Sequence, residues 1–420
     1  MKQYKEFTVD EKAAFRAAAL AAYNGYQAQG LKIDMSRGKP APVQLDLSGD
    51  LFHAVDENNY RSADGTDCRN YGGLLGVEET RALFAEILGV EKKNVIACGN
   101  ASLTLMFDYV AQCMFDGCGA EPWSRQKDVK FIAVVPGYDR HFTIAQYFGI
   151  KLINVPMTPT GPDMDKVEEL VKDPTVKGMF CVPKYSNPDG YTYSPETIER
   201  LAAMTPAAKD FRVIYDNAYI VHDLYEESDY LPEIFSVAKK YGHEDHFVEF
   251  ASTSKITLAG AGVACIAASD NNIEMIKKRL TVQVISYDKL NQLRHAKVFK
   301  SAADVHARMQ QHAAILRPKF EAVLEIMEKE LGGLGIAHWT KPRGGYFISL
   351  YVDGGSAKRV YELCAQAGLT LTNVGATYPY GVDPDDSNIR IAPSFPTVEE
   401  LKTCAEILCA AVKVACSENA

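Results

Sequence analysis

The sequence predicts an α/β fold in which a mostly parallel sheet of seven strands is covered by helices and joined to a smaller α+β unit. Three observations carry this expectation. Short, nearly continuous apolar runs recur from about residue 50 to residue 270, with helical stretches between most of them. The polar clusters all follow such runs, which places them at the carboxyl edge of one sheet, where open α/β sheets bind ligands. Beyond about residue 270 the pattern changes to a long helical region and then to short strands.

In chain order, Thr8 and Glu11 form a capping box that opens an alanine-rich helix ending near Gly30. An irregular arm follows over Ile33–Ser48, with two prolines and a glycine and no clear period. The candidate strands of the large sheet are Val95–Cys98, Phe131–Val135, Lys151–Val155, Gly178–Val182, Val213–Tyr215, Phe247–Phe250 and Val263–Ala267. Helices are expected at Glu78–Leu88, Ser194–Met204 and Pro232–Tyr241. One long helical region should run from about residue 270 to Leu331, followed by strands at Gly345–Val352, Thr370–Asn373 and Asn388–Ala392 and a helix from Thr397. This divides the chain into an N-terminal helix and arm (1–49), a large domain (50–295) and a small C-terminal domain (296–420), the arm belonging with the small domain.

Composition narrows the function classes. The chain has 420 residues, 47% of them hydrophobic and 24% charged, enough for a large core. A net charge of -9 disfavours nucleic acid or an anionic membrane as partner. No apolar run is long enough to span a bilayer, and charged residues interrupt the N-terminal segment, so no secretory signal is expected. Ten cysteines lie scattered without metal-ligand spacing, as expected of reduced core residues in a cytoplasmic protein.

The chemistry centres on HFVEFASTSKITLAGAG, residues 246–262. A buried strand runs into Ser252-Thr253-Ser254-Lys255 and then into small residues that let backbones approach closely. Apolar surroundings lower a lysine's pKa and free its lone pair, the requirement for a Schiff-base lysine, although a polar-turn lysine exposed to solvent would look alike. Asn100-Ala101-Ser102 opens a helix and offers an anion site, or a plain cap. Tyr138 follows a strand and is placed to lie on a planar ring, or to pack under a loop. Asn187-Pro188 is a turn, or aims an amide at a phenolic oxygen. Asp216 ends a buried strand and requires a cationic partner, which a protonated pyridine would supply as well as an arginine would.

Taken together, SRGKP, NYGGLLGVEETR, GNASLTLMFD, PGYDRHF, YSNPDG, DNAY, STSK, PRGGYF and NIRIAPSFP resemble the fold-type I pyridoxal 5'-phosphate enzymes of the class I aminotransferase group. The similarity is greatest to a divergent aspartate aminotransferase subgroup and spans about residues 30 to 400. It implies that Lys255 carries the cofactor and shuttles a proton, and that Asp216 keeps the pyridine nitrogen protonated, braced by His141. It further implies Asn187 and Tyr219 at the phenolic oxygen, Tyr138 on the ring, and Asn100, Ala101, Ser102, Ser252 and Ser254 at the phosphate. Tyr71 would reach the phosphate of a partner subunit, which implies a homodimer, and Arg390 would grip the substrate α-carboxylate. The expected substrates are an amino acid, aspartate, and 2-oxoglutarate as the 2-oxo acid, in a ping-pong reaction.

The sequence departs from the family in one respect: ITLAGAGVA lacks the arginine that many relatives place after the lysine turn. Aspartate also requires a second cation for its side-chain carboxylate. Arg37, beside Gly38 in the arm, is expected to supply it, with Arg140 and Lys289 as the other candidates. A lyase or an aminotransferase of different substrate range would share these residues. A cofactor-sensing regulator is the alternative from another class; it would carry a basic DNA-binding domain, and the acidic charge and single short N-terminal helix count against it.

Overall fold

The computed structural model describes residues 2–418. Its large sheet has eight strands: β1 (Val95–Ala97), β2 (Lys130–Val135), β3 (Lys151–Thr158), β4 (Gly161–Pro162), β5 (Val176–Cys181), β6 (Arg212–Asp216), β7 (Phe247–Ser252) and β8 (Ala264–Ala268). Their order across the sheet is β1-β8-β7-β6-β5-β2-β3-β4. Strands β7, β6, β5, β2 and β3 pair in parallel, whereas β8 runs antiparallel to both of its neighbours. The expected count of seven is corrected by β4, a two-residue strand that folds back antiparallel on β3. So short a strand has no alternation from which to read it.

Alternate residues of each strand face opposite layers, as pleating requires. Phe131, Phe180, Ile214, Val248 and Ile266 pack on one face with the helices Ser102–Phe115 and Asp270–Gln283. Ile132, Met179, Val213, Tyr215 and Phe247 pack on the other with Met164–Leu170, Pro195–Ala203 and Ile234–Lys239. Residues apolar on both sides explain why these strands read as unbroken hydrophobic runs.

The long helical region expected after residue 270 is three helices, Asp270–Gln283, Lys289–Val298 and Ala302–Leu331. Asp288 caps the second through Asn291 N, and Ser301 with Asp304 forms a capping box at the third. These caps are start signals that outweigh the helical periodicity running through them. A three-stranded antiparallel sheet, with Ile348–Val352 between Ala337–Trp339 and Asn388–Ile391, packs on Ala302–Leu331, Ala357–Gln366 and Val398–Glu418. Ala19 and Tyr23 of the N-terminal helix join the same core, and the Tyr23 hydroxyl donates to Leu363 O at 2.9 Å. The arm is less irregular than its sequence suggests. Ile33–Asp34 pairs with Leu369–Thr370, and Pro42–Asp46 forms a short helix. All ten cysteines are buried and unpaired.

Candidate active site

Five connections leave the carboxyl edge of the large sheet and meet the arm and the small sheet around a cavity of about 640 Å³. The turn after β7 is built on Thr253. Its N–H donates to Val263 O at 2.8 Å, and its hydroxyl accepts from Val263 N at 2.9 Å. Gly262 lies so close that an added Cβ would stand 3.2 Å from Ser254 N. This closed turn presents Lys255 to the cavity, with Nζ 4.8 Å from the ring centroid of Tyr219 and 5.7 Å from that of Tyr346. Burial holds the Lys255 amine below the ordinary lysine range, partly offset by the nearby Tyr138 and Asp216.

Asp216 ends β6 with a side chain only 4% exposed. His141 Nε2 lies 3.0 Å from its Oδ2, and the His141 ring is stacked on Phe180 at 4.7 Å between centroids. The other carboxylate oxygen, Oδ1, is buried and has no partner. A buried, unpaired carboxylate oxygen at a cavity wall fits a protonated ring nitrogen. Tyr138 borders the same space, and burial pushes its phenol up to about 12. Burial also raises the Tyr219 phenol above its ordinary value.

On the cavity wall, the helix Ser102–Phe115 begins at Ala101 with no side-chain cap. Ser252 Oγ and Ser254 Oγ stand beside it, 3.1 Å apart, and Ser254 Oγ donates to Asn100 O at 3.2 Å. Uncapped N–H groups at the positive end of a helix, with two hydroxyls, suit a phosphate. These residues and the unpartnered oxygen of Asp216 therefore fit pyridoxal 5'-phosphate, with Lys255 on the same cavity wall.

Arg390, on the strand Asn388–Ile391, lines the same cavity. Nη1 reaches Asn187 Oδ1 at 3.3 Å and Nη2 reaches Thr372 Oγ1 at 3.3 Å. Asp139 Oδ1 lies 3.5 Å from Nη1, and Nε is buried without a partner. The guanidinium lies over Phe347, 4.8 Å from the ring centroid. Gly38 brings the arm onto the same ring, since a Cβ there would come within 2.4 Å of Phe347 Cζ.

The cavity thus gathers Arg37, Gly38, Ala101, Ser102, Tyr138, Asn187, Asp216, Tyr219, Ser252, Ser254, Lys255 and Arg390 from the residues singled out by sequence. Asn100 contributes its carbonyl to the turn and does not line the cavity. Tyr71 is 79% exposed and lies outside its own chain's cavity. Lys289 is corrected as a substrate-binding candidate. It is 3% exposed, and its amine donates to Asn70 O and Gly72 O at 2.6 Å each, fastening the NYGG loop. Arg37 and Arg140 both line the cavity and are exposed, and neither side chain has a hydrogen bond or ion pair among the described residues. Sequence reasoning passed over Asp139 and Tyr346, which stand inside the quoted PGYDRHF and PRGGYF, and Thr372, which was read only as part of a strand.

The architecture and the site together define a fold-type I transferase. The sequence model of the aspartate aminotransferase family ("Aspartate amino-transferase") matches residues 7–420. An aspartate aminotransferase of Corynebacterium glutamicum is 44% identical over 417 residues, covering 99% of this chain and 96% of its own. A solved structure of an aspartate transaminase from the same species superposes with a TM-score of 0.97 at 44% identity, covering 99% of each chain. The Thermus thermophilus α-aminoadipate aminotransferase LysN, solved with N-(5'-phosphopyridoxyl)-L-leucine, shares the fold at 20% identity, with a TM-score of 0.73 over 92% of this chain and 94% of its own. The chain belongs to the aspartate aminotransferase family and is an aminotransferase. No helix among the described residues is long and apolar enough to cross a membrane.

Proposed function

We propose that this enzyme moves the amino group of L-aspartate to 2-oxoglutarate by a ping-pong mechanism, with pyridoxal 5'-phosphate carried on Lys255. The observation that carries the reading is the shared cavity. Lys255 with its desolvated amine, Asp216 with its unpartnered oxygen and Arg390 all line one space of about 640 Å³. When bound, the cofactor supplies an electron sink for the pair left at Cα by proton removal.

The protein's own residues do the rest. Asp216 holds a positive charge on the ring nitrogen, and His141, 3.0 Å away, fixes that carboxylate. Tyr138 covers the ring, and Ser252, Ser254 and the N–H groups after Ala101 hold the phosphate. Arg390 binds the α-carboxylate with a fork already oriented by Asn187 and Thr372. Lys255 lines the same cavity, and its lowered pKa keeps a lone pair on the amine that would take and return the Cα proton. Arg37 meets the second carboxylate of either substrate. One site that serves a dicarboxylic amino acid and a dicarboxylic oxo acid in turn is the physical content of a ping-pong cycle. Exposed Tyr71 supports a homodimer in which it completes the partner's phosphate site, and ten unpaired buried cysteines support a cytoplasmic location.

The test is a screen of amino donors with 2-oxoglutarate, read as oxo-acid formation, alongside borohydride labelling of the yellow protein. Aspartate should lead the donors and the label should fall on Lys255. A different preferred donor sinks the substrate assignment, and a label on Lys184 or Lys289 sinks the lysine assignment.

A further inference from the structure

Arg37 stands in a turn whose backbone is held on both sides. Arg37 O accepts from Lys39 N at 2.9 Å, closing three residues on themselves. Before the turn, Thr372 Oγ1 donates to Ser36 O at 2.6 Å. After it, Ser394 Oγ donates to Lys39 O at 2.9 Å. A carbonyl only accepts, so both hydroxyl protons are committed to the arm. Between them Gly38 is pressed against Phe347, the ring that the Arg390 guanidinium covers.

Both hydroxyls belong to the part of the fold that carries Arg390. Ser394 is fully buried just beyond the strand Asn388–Ile391. Its carbonyl accepts from Lys319 Nζ at 2.8 Å, which fastens it to the helix Ala302–Leu331. Thr372 lies just beyond Leu369–Thr370, the strand that pairs with the arm, where Met35 N donates to Thr370 O at 2.9 Å. A lone pair of Thr372 Oγ1 also accepts from Arg390 Nη2 at 3.3 Å. One oxygen therefore serves the arm and the guanidinium at once. The Arg37 turn and Arg390 are carried on a single frame.

We propose that Thr372 and Ser394 are positioning residues that tether the Arg37 turn to the frame of Arg390, presetting the spacing that a substrate with two carboxylates must bridge. A preset spacing favours dicarboxylic substrates because less order has to be created on binding. A monocarboxylic amino acid engages Arg390 alone and gains nothing from the tether on the arm. The preference for dicarboxylates rests on the proposed role of Arg37 at the side-chain carboxylate; the tether does not.

Trypsin reads the tether on the cofactor-loaded enzyme. Within the arm Ile33–Ser48 it can cut at Arg37–Gly38, whereas Pro40 protects the bond after Lys39. Cleavage there should be severalfold faster in Thr372→Val and Ser394→Ala, and close to wild type in Thr372→Ser, which keeps the hydroxyl. Equal rates in all four proteins, or Thr372→Ser behaving as Thr372→Val, would overturn the tether. Urea midpoints taken alongside separate local loosening from global unfolding, and faster cleavage that only tracks a lowered midpoint counts against it.

Half-reactions with aspartate and alanine read the preset spacing. Ser394 has no hydrogen bond to Arg390 among the described residues. Ser394→Ala should therefore raise KM for aspartate about fivefold, the worth of one net hydrogen bond, and change alanine far less. Equal losses for the two donors would overturn the effect on specificity. Arg37→Ala is the control. If it too fails to separate the donors, the role of Arg37 is what fails, and the cleavage rates still decide the tether.

Discussion

His312 Nε2 lies 2.9 Å from the carbonyl oxygen of Ile256, the residue that follows Lys255. A carbonyl only accepts, so Nε2 carries the proton and Nδ1 is left as an acceptor. Gln44 Nε2 meets that Nδ1 at 3.1 Å and donates also to the Tyr346 hydroxyl at 3.1 Å. Gln44 Oε1 in turn accepts from Ala41 N at 3.0 Å. The N-terminal arm is thereby wired through one buried amide to both the Lys255 turn and a ring beside the Lys255 amine. Burial lowers the His312 pKa and keeps the ring in the neutral form that this wiring needs.

Gln44→Leu is therefore expected to destabilise the fold by about 1–3 kcal/mol, the cost of leaving buried partners unsatisfied. It should also lower kcat more than it raises KM, because the lysine turn loosens while Arg390 stays in place. Denaturant unfolding with steady-state kinetics checks both. A KM effect alone would mean that Gln44 serves only to hold the arm over the substrate.

Acid should weaken the protein through its buried histidines. His295 is held down to about 4 by burial, with Nδ1 2.7 Å from Asn291 O and Nε2 3.0 Å from Thr257 Oγ1. The folded pKa lies below the unfolded value, so the unfolded chain takes up the proton first. Stability is full above about pH 6.5 and is lost as the pH falls toward 4, by on the order of 3 kcal/mol for this residue. Unfolding free energy measured across that range should fall in wild type and fall less in His295→Gln. Parallel curves would show that other groups govern acid unfolding.

Much of this was legible in the chain, for identifiable reasons. Lys255, Asp216 and Tyr138 each follow an apolar run, and the rule that loops at strand ends carry the site places them together from the sequence alone. Lys289 stood among the candidates because the sequence around it does not distinguish a lysine facing a ligand from one holding carbonyls, as it does at Asn70 and Gly72. The Gln44–His312 contact joins positions 268 residues apart, and nothing local marks either as buried. Strand β4 was invisible because two residues have no period.

Asp216→Ala should nearly abolish turnover. Its Oδ2 is held by His141 and its Oδ1 is buried without a partner in a residue that lines the cavity, so removal takes away one member of a buried charge pair when the cofactor is present. Such losses run to about 3–5 kcal/mol, roughly two to nearly four orders of magnitude in rate. Single-turnover kinetics on cofactor-loaded protein provides the check. A loss below about tenfold would reduce Asp216 to a structural end of its strand.

Substrate choice should rest on the balance between Arg37 and Asp139. Arg37 lines the cavity without a partner among the described residues, on an arm that Gly38 lays against Phe347. Asp139 Oδ1 lies 3.5 Å from Arg390 Nη1, where it competes with an incoming α-carboxylate. Arg37→Ala is expected to cost aspartate about 2–4 kcal/mol in kcat/KM, the worth of a charge-assisted contact, while alanine changes little in its own half-reaction. Asp139→Asn should act on both donors alike, lowering KM because the competing charge at Arg390 is gone. Half-reactions with aspartate and alanine, followed by cofactor absorbance in the two variants, separate these roles. If Arg37→Ala weakens both donors equally, Arg37 belongs to the arm's packing or the α-carboxylate, and Arg140, the other cavity arginine without a side-chain partner among the described residues, takes its place as the reader of the side-chain carboxylate.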